Sequence, residues 1–235
     1  MITGDTQKGG QMFVNAWNDF GNKVSNSWKI DMGMFKTDPN KSFGGKAWEV
    51  ISRFTWQAPQ TFIGKNVAHL TNNIKDVGDI HYVDGATVLE DCWDGGSFSL
   101  GPYIQLGTYT SLYESYRNPR TGAIETVFSN TFMHEYGHYI QSQKVGVYYF
   151  TKYAIPSKLT NNYGKAELDA NQRAYDYFSL YHADKMKVYV DKIIWDPSSR
   201  SYSYTYKDWN NNRYPREFNK FNYFDLIPIS FLWNL

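Results

Sequence analysis

The feature that most constrains this chain is the pentapeptide His134-Glu135-Tyr136-Gly137-His138. On a helix, residues four apart share one face, so His134 and His138 point the same way and can hold one metal ion between their imidazoles. Glu135 then lies beside that ion, close enough to take a proton from water held there. The flanking Phe132, Met133, Tyr136, Tyr139 and Ile140 make the helix apolar on several sides, which predicts burial. Two histidines and a glutamate inside a buried helix need partners, and a metal ion supplies them.

A catalytic zinc ion takes three protein ligands and keeps one position open. Glu167 stands 29 residues after His138, near the start of a predicted helix running from about Lys165 through Tyr181. Ala166, Ala170, Ala174 and Phe178 mark a tight face on that helix, small enough for close approach to another helix. Glu167 and Asn171 share a face, so Glu167 is the expected third ligand and Asn171 the group that orients a bound imidazole. Asp169 is the rival ligand. It points about 200° away from Glu167 and has Arg173 four residues on, so an exposed ion pair is its expected fate. His69, His81 and His182 are expected to be structural or surface residues. His182 also lies too far along the helix from Glu167, roughly 22 Å, to reach the same ion.

The remaining chain reads as follows. Residues 1–10 are a Gly-rich lead-in, and Met12, Phe13, Ala16, Trp17, Phe20 and Val24 predict a helix over about 11–28. A second helix follows Gly44-Gly45 and ends before Ala58-Pro59; a third spans Thr61 to Ile74, weakened by Gly64. From Gly78 the period shortens, and Ile80–Leu89 suggests short strands. Phe98–Leu106 reads as one edge strand with an irregularity at Gly101-Pro102. Thr126 or Ser129 can cap the histidine helix, and Asn161-Asn162-Tyr163-Gly164 the next one. Tyr202, Tyr204 and Tyr206 alternate as in a strand, and the apolar run Ile227–Trp233 reads as a tail packed on the domain.

These elements predict a single α+β domain over 1–235: a helical N-terminal part (1–75), a catalytic core (76–185) and a C-terminal extension (186–235), with the two site helices beside a small, mostly antiparallel sheet. The aromatic share of 18% favours a rigid, ring-packed interior. Net charge is +1 with no basic stripe, so nucleic acid is not an expected partner. No apolar run approaches a membrane span, and the N-terminus has no signal pattern; the expected address is the cytoplasm or export as part of a larger protein. Cys92 is the only cysteine, which excludes an internal disulfide; it sits among Glu90, Asp91 and Asp94, acids that raise a thiol pKa, and reads as structural.

His134-Glu135-x-x-His138 followed by Glu167-x-x-x-Asn171 resembles the gluzincins, the thermolysin-like zinc metallopeptidases. The resemblance implies a zincin-like fold with Zn2+ on His134, His138 and Glu167, and Glu135 as general base for peptide-bond hydrolysis. Asn171 departs from the pattern, since those enzymes often carry Asp there; an amide oxygen still accepts from an imidazole N–H. The wider span, from Asp84-Gly85-Ala86-Thr87 through Tyr139-Ile140-Gln141-Ser142-Gln143 to Asn171, looks like zincin-like domains of Bacteroidetes-type bacteria, some of them toxin domains of Rhs-like polyproteins. That likeness implies a peptide or protein substrate, an effector role and an inhibitor or immunity partner. The competing expectation is a zincin-like interaction module that binds metal without turnover. The implied mechanism needs a second oxyanion donor beside the metal, and Tyr148, Tyr149, Tyr163 and Tyr175 all compete for that role.

Overall fold

The computed structural model describes residues 3–75, 77–155, 165–196 and 201–208. Helix α1 (Thr3–Met32) leads through a short 3-10 turn (Gly33–Phe35) to α2 (Phe43–Phe54) and α3 (Ala58–Ile74). Strands β1 (Ile80–Val83), β2 (Ala86–Leu89), β3 (Phe98–Leu100) and β4 (Tyr103–Gln105) follow, then the hairpin β5 (Tyr113–Arg117) and β6 (Ile124–Phe128). Helix α4 (Asn130–Val145) carries the histidines, and α5 (Lys165–Tyr181) carries Glu167. Strands β7 (Val188–Asp196) and β8 (Ser201–Asp208) form a separate antiparallel pair, with Tyr202, Tyr204 and Tyr206 on β8 as their alternation predicts. The Asn161–Gly164 loop and the apolar tail near Ile227 lie outside the described residues.

Four boundaries differ from the sequence reading. Helix α2 begins at Phe43, capped by Ser42, so Gly44 and Gly45 lie in its first turn rather than before it. Helix α1 begins at Thr3, so the lead-in is helical; no proline stands there to stop it. Helix α3 begins at Ala58 with Pro59 in its first turn, where a missing N–H costs nothing. Residues 98–105 are not one irregular strand but a hairpin, β3 and β4, closed by Gly101-Pro102, with Leu100 opposite Tyr103. The hairpin packs tightly on α3: a Cβ at Gly64 would come within 2.1 Å of the Leu100 carbonyl oxygen. The glycine that weakens the helix is thus what lets the hairpin approach.

The four-stranded sheet has the order β1-β2-β4-β3. Pairings β1–β2 and β3–β4 are antiparallel and β2–β4 is parallel, so the sheet is mixed. Strand β2 is buried along its whole length, because helices cover both sheet faces. Val88 and Ile104 join Phe132, Met133, Tyr136, Tyr139 and Phe178 of α4 and α5 on one side. Leu89 and Tyr103, their strand neighbours, point the other way and pack with Ile30 and Ala68 of α1 and α3.

A buried polar brace joins α2 to α4. Arg53, fully enclosed, donates through Nη1 to the carbonyls of Gly33, Met34 and Lys36. Its Nη2 reaches Glu49, the Gly85 carbonyl and the Tyr139 hydroxyl. Tyr139 donates in turn to Glu49 Oε1 at 2.5 Å. This brace anchors the residue next to His138.

Candidate metal centre

The site is built where α4 crosses α5. Ser129 caps α4, its Oγ accepting from the Phe132 N–H at 3.2 Å, and Gly146 ends the helix. At the crossing, Gly137 lies against Ala170: a Cβ there would stand 2.0 Å from the Ala170 carbonyl oxygen. The small face read from Ala166, Ala170 and Ala174 is therefore the face that meets α4. Any larger side chain at 137 would hold the helices apart.

This contact brings His134, His138 and Glu167 to one point. Their ligand atoms all lie within 4.8 Å of one another. Glu167 Oε2 is 2.9 Å from His134 Nε2 and 3.3 Å from His138 Nε2. Glu167 and His138 are buried, and His134 is one-quarter exposed at its side chain. These three groups could hold a metal ion.

The outer ring nitrogens are fixed from behind. Asn171 Oδ1 lies 3.0 Å from His134 Nδ1, as expected. Gln141 Oε1 lies 2.8 Å from His138 Nδ1. Gln141 Nε2 donates to the Ala166 carbonyl at 2.7 Å and to Asp169 Oδ2 at 2.9 Å, so its oxygen is the atom left for the histidine. An amide oxygen only accepts, so each imidazole carries a proton on Nδ1, and Nε2 is the nitrogen that faces Glu167 and would bind a metal ion once it gives up any proton it carries there. An Nδ1–H held from behind is the arrangement that leaves Nε2 for a metal ion.

Asp169 does pair with Arg173, at 2.7 Å, but the pair is half-buried rather than exposed. It is tied to the site through Gln141, a link that sequence reading missed. The available signal was Gln141 at i+3 from His138 on one helix face.

The electrostatics suit a cation. Burial alone would lower His134, but Glu167, Glu135 and Asn171 outweigh it and hold the imidazole at about 9. The field that favours a proton there favours a divalent ion in its place. Burial pushes Glu135 up; His138 and His134 oppose that and Glu167 adds to it. Such a carboxyl can both take and return a proton.

Of the competing tyrosines, Tyr149 is one that interacts electrostatically with both Glu135 and Glu167. It is buried in the short helical run after α4, and its hydroxyl points to the Ser99 carbonyl of β3 at 3.4 Å. Burial raises its pKa, and Glu135 and Glu167 raise it further, which places it within their field. Tyr148 is half-exposed against Trp56, and Tyr175 packs at the edge of the core. Tyr163 lies outside the described residues.

The remaining histidines sit elsewhere. His69 reaches Asp31 at 3.0 Å and ties α3 to α1. His182 meets Asp84 in the β1–β2 turn. His81 gathers with Asp79 and Glu90 in a second, more exposed group, where Glu90 already accepts from the Leu112 N–H at 2.6 Å.

Compared with protein-family models, with curated proteins and with solved structures, the chain matches none. The functional reading therefore rests on this chain's own residues.

Proposed function

We propose that the chain is a zinc-dependent peptidase, with His134, His138 and Glu167 as ligands and Glu135 as general base. The observation that carries this reading is the convergence of two imidazole nitrogens and one carboxylate oxygen from two helices, with both imidazoles held from behind by amide oxygens. Two nitrogens and one oxygen are a ligand set that zinc takes at catalytic sites.

A bound zinc ion supplies Lewis acidity at this point: it lowers the pKa of water towards ~7 and polarises a carbonyl. The protein does the rest. Glu135 takes the proton of the attacking water on its carboxylate and delivers it to the leaving amine nitrogen. The Tyr149 hydroxyl donates to the oxygen on which negative charge develops. Strand β3 lies at the edge of the sheet. Its Ser99 stands one residue outside the Leu100–Tyr103 closing pair, is buried, and has its carbonyl held by the Tyr149 hydroxyl, so a peptide that pairs there would take that carbonyl and free the hydroxyl. An extended peptide pairing there would lie along the side from which Tyr149 reaches Ser99.

The test is Glu135→Gln in the zinc-loaded protein, with an unfolded protein substrate and products read by mass spectrometry. Wild type should cut internal amide bonds. The variant should hold the metal and lose cleavage by about 1,000-fold or more. Equal turnover by both proteins removes Glu135 as base, and a zinc-loaded wild type that cuts no peptide removes the peptidase reading.

A further inference from the structure

Helix α1 is amphipathic, yet its apolar stripe faces water. The helix meets the body through Ile30, which shares a core cluster with Ala68 and Leu89. It also meets Asn72, which donates to the Lys23 carbonyl and the Ser27 hydroxyl. Asn15, Asn18, Asn22 and Asn26 line a groove of about 400 Å3 shared with Asn72, Lys75 and Val77. Phe13, Trp17, Phe20, Val24 and Trp28 lie on neither side. At 100° per residue they fall within about 80° of arc. They are 71%, 66%, 60%, 54% and 68% exposed, and Met12 and Val14 widen the stripe at 72% and 49%.

A stripe with four exposed aromatic rings presents on the order of 600–900 Å2 of apolar surface. That exceeds the largest patch of an ordinary monomer and approaches the ~800 Å2 that each partner gives to a stable interface. The steps of four, three, four and four residues make a straight seam, the pattern by which two helices pack side by side. Such a seam is self-complementary, as a two-fold interface requires. The helix carries Asp5, Asp19 and Asp31 against Lys8, Lys23 and Lys29. This balance gives no pull towards an anionic bilayer, whose surface helices are rich in Lys and Arg.

We propose that the Phe13–Trp28 stripe is a homodimer interface, with α1 of one copy packed along α1 of a second. The proposal does not depend on the metal site.

Sedimentation velocity of the full chain tests it. Wild type should show a monomer–dimer equilibrium that shifts with concentration. The double variant Trp17→Glu, Phe20→Glu should raise the dimer Kd by at least ~100-fold, with helix content and metal content unchanged. Phe20 stands at the middle of the stripe, so it meets its own copy whether the helices run parallel or antiparallel. Phe20→Cys should therefore give a disulfide-linked dimer on mild oxidation, while Cys92 stays buried. This second variant decides the matter if the double glutamate chain fails to fold. A wild type that stays monomeric at every concentration overturns the proposal, whether residues 209–235 cover the stripe or phosphatidylcholine vesicles take it up. So does a folded double variant that still dimerises.

Discussion

Gly137 and Ala170 touch backbone to backbone, and that contact is what lets a carboxylate on α5 reach two histidines on α4. A methyl at Gly137 would meet a carbonyl oxygen, which cannot rotate away. Gly137→Ala should therefore push the helices apart and cost about 1–3 kcal/mol of stability. Zinc affinity, measured by competition with a chromophoric chelator, should fall by at least ~10-fold. An unchanged affinity would mean that the crossing does not set the site.

The ligands and their supports should separate by rank. Glu167→Ala removes a donor atom and should all but abolish metal binding. Gln141→Leu leaves His138 as a ligand but frees its ring, and a loss of about 10–100-fold is expected. Asp169→Ala also breaks the Arg173 pair but reaches the ligands only through Gln141, so its loss should be the smallest of the three. Isothermal titration with zinc gives this order. Asp169→Ala as the most damaging change would move the third ligand away from Glu167.

Tyr149→Phe keeps the ring in its buried place and removes only the hydroxyl. If that group donates to the developing oxyanion, kcat should fall by about 100-fold with KM and zinc content little changed. A fall in zinc content, or a change in KM alone, would make Tyr149 a packing residue instead.

Cys92 gives a pH dependence with a defined sign. Burial, with Asp91 second, raises its thiol from 9.0 to about 12. The folded state thus favours the neutral thiol. Its contribution to stability is complete below 9.0 and is lost as pH rises from 9.0 towards about 12. The urea midpoint of wild type should fall through that window more steeply than that of Cys92→Ala. At pH ~8 the native thiol should resist iodoacetamide and react only when urea unfolds the chain. Rapid alkylation of the native protein would contradict this assignment.

Much of the site was legible in the sequence because it follows helical periodicity. His134, His138, Glu167 and Asn171 all obey spacings of three or four residues, and the alanines of α5 announced a close crossing. What escaped depends on contacts between distant segments. The Arg53–Glu49–Tyr139 brace joins three parts of the chain, and a buried arginine carries no local signature. The parallel β2–β4 pairing depends on where the β3–β4 hairpin docks on α3, through Gly64 and Leu100. That Tyr149 lies in the field of Glu135 and Glu167 and reaches Ser99 depends on packing between segments far apart in the chain. Asp169 was misjudged because its ion pair could be read along the helix, whereas Gln141 approaches from another one.

The most direct measurement is a crystal structure of zinc-loaded protein, with anomalous scattering recorded on both sides of the zinc absorption edge. One strong peak is expected within about 2.0–2.2 Å of His134 Nε2, His138 Nε2 and a Glu167 carboxylate oxygen. No peak there, or zinc found only at Asp79, His81 and Glu90, would contradict the account.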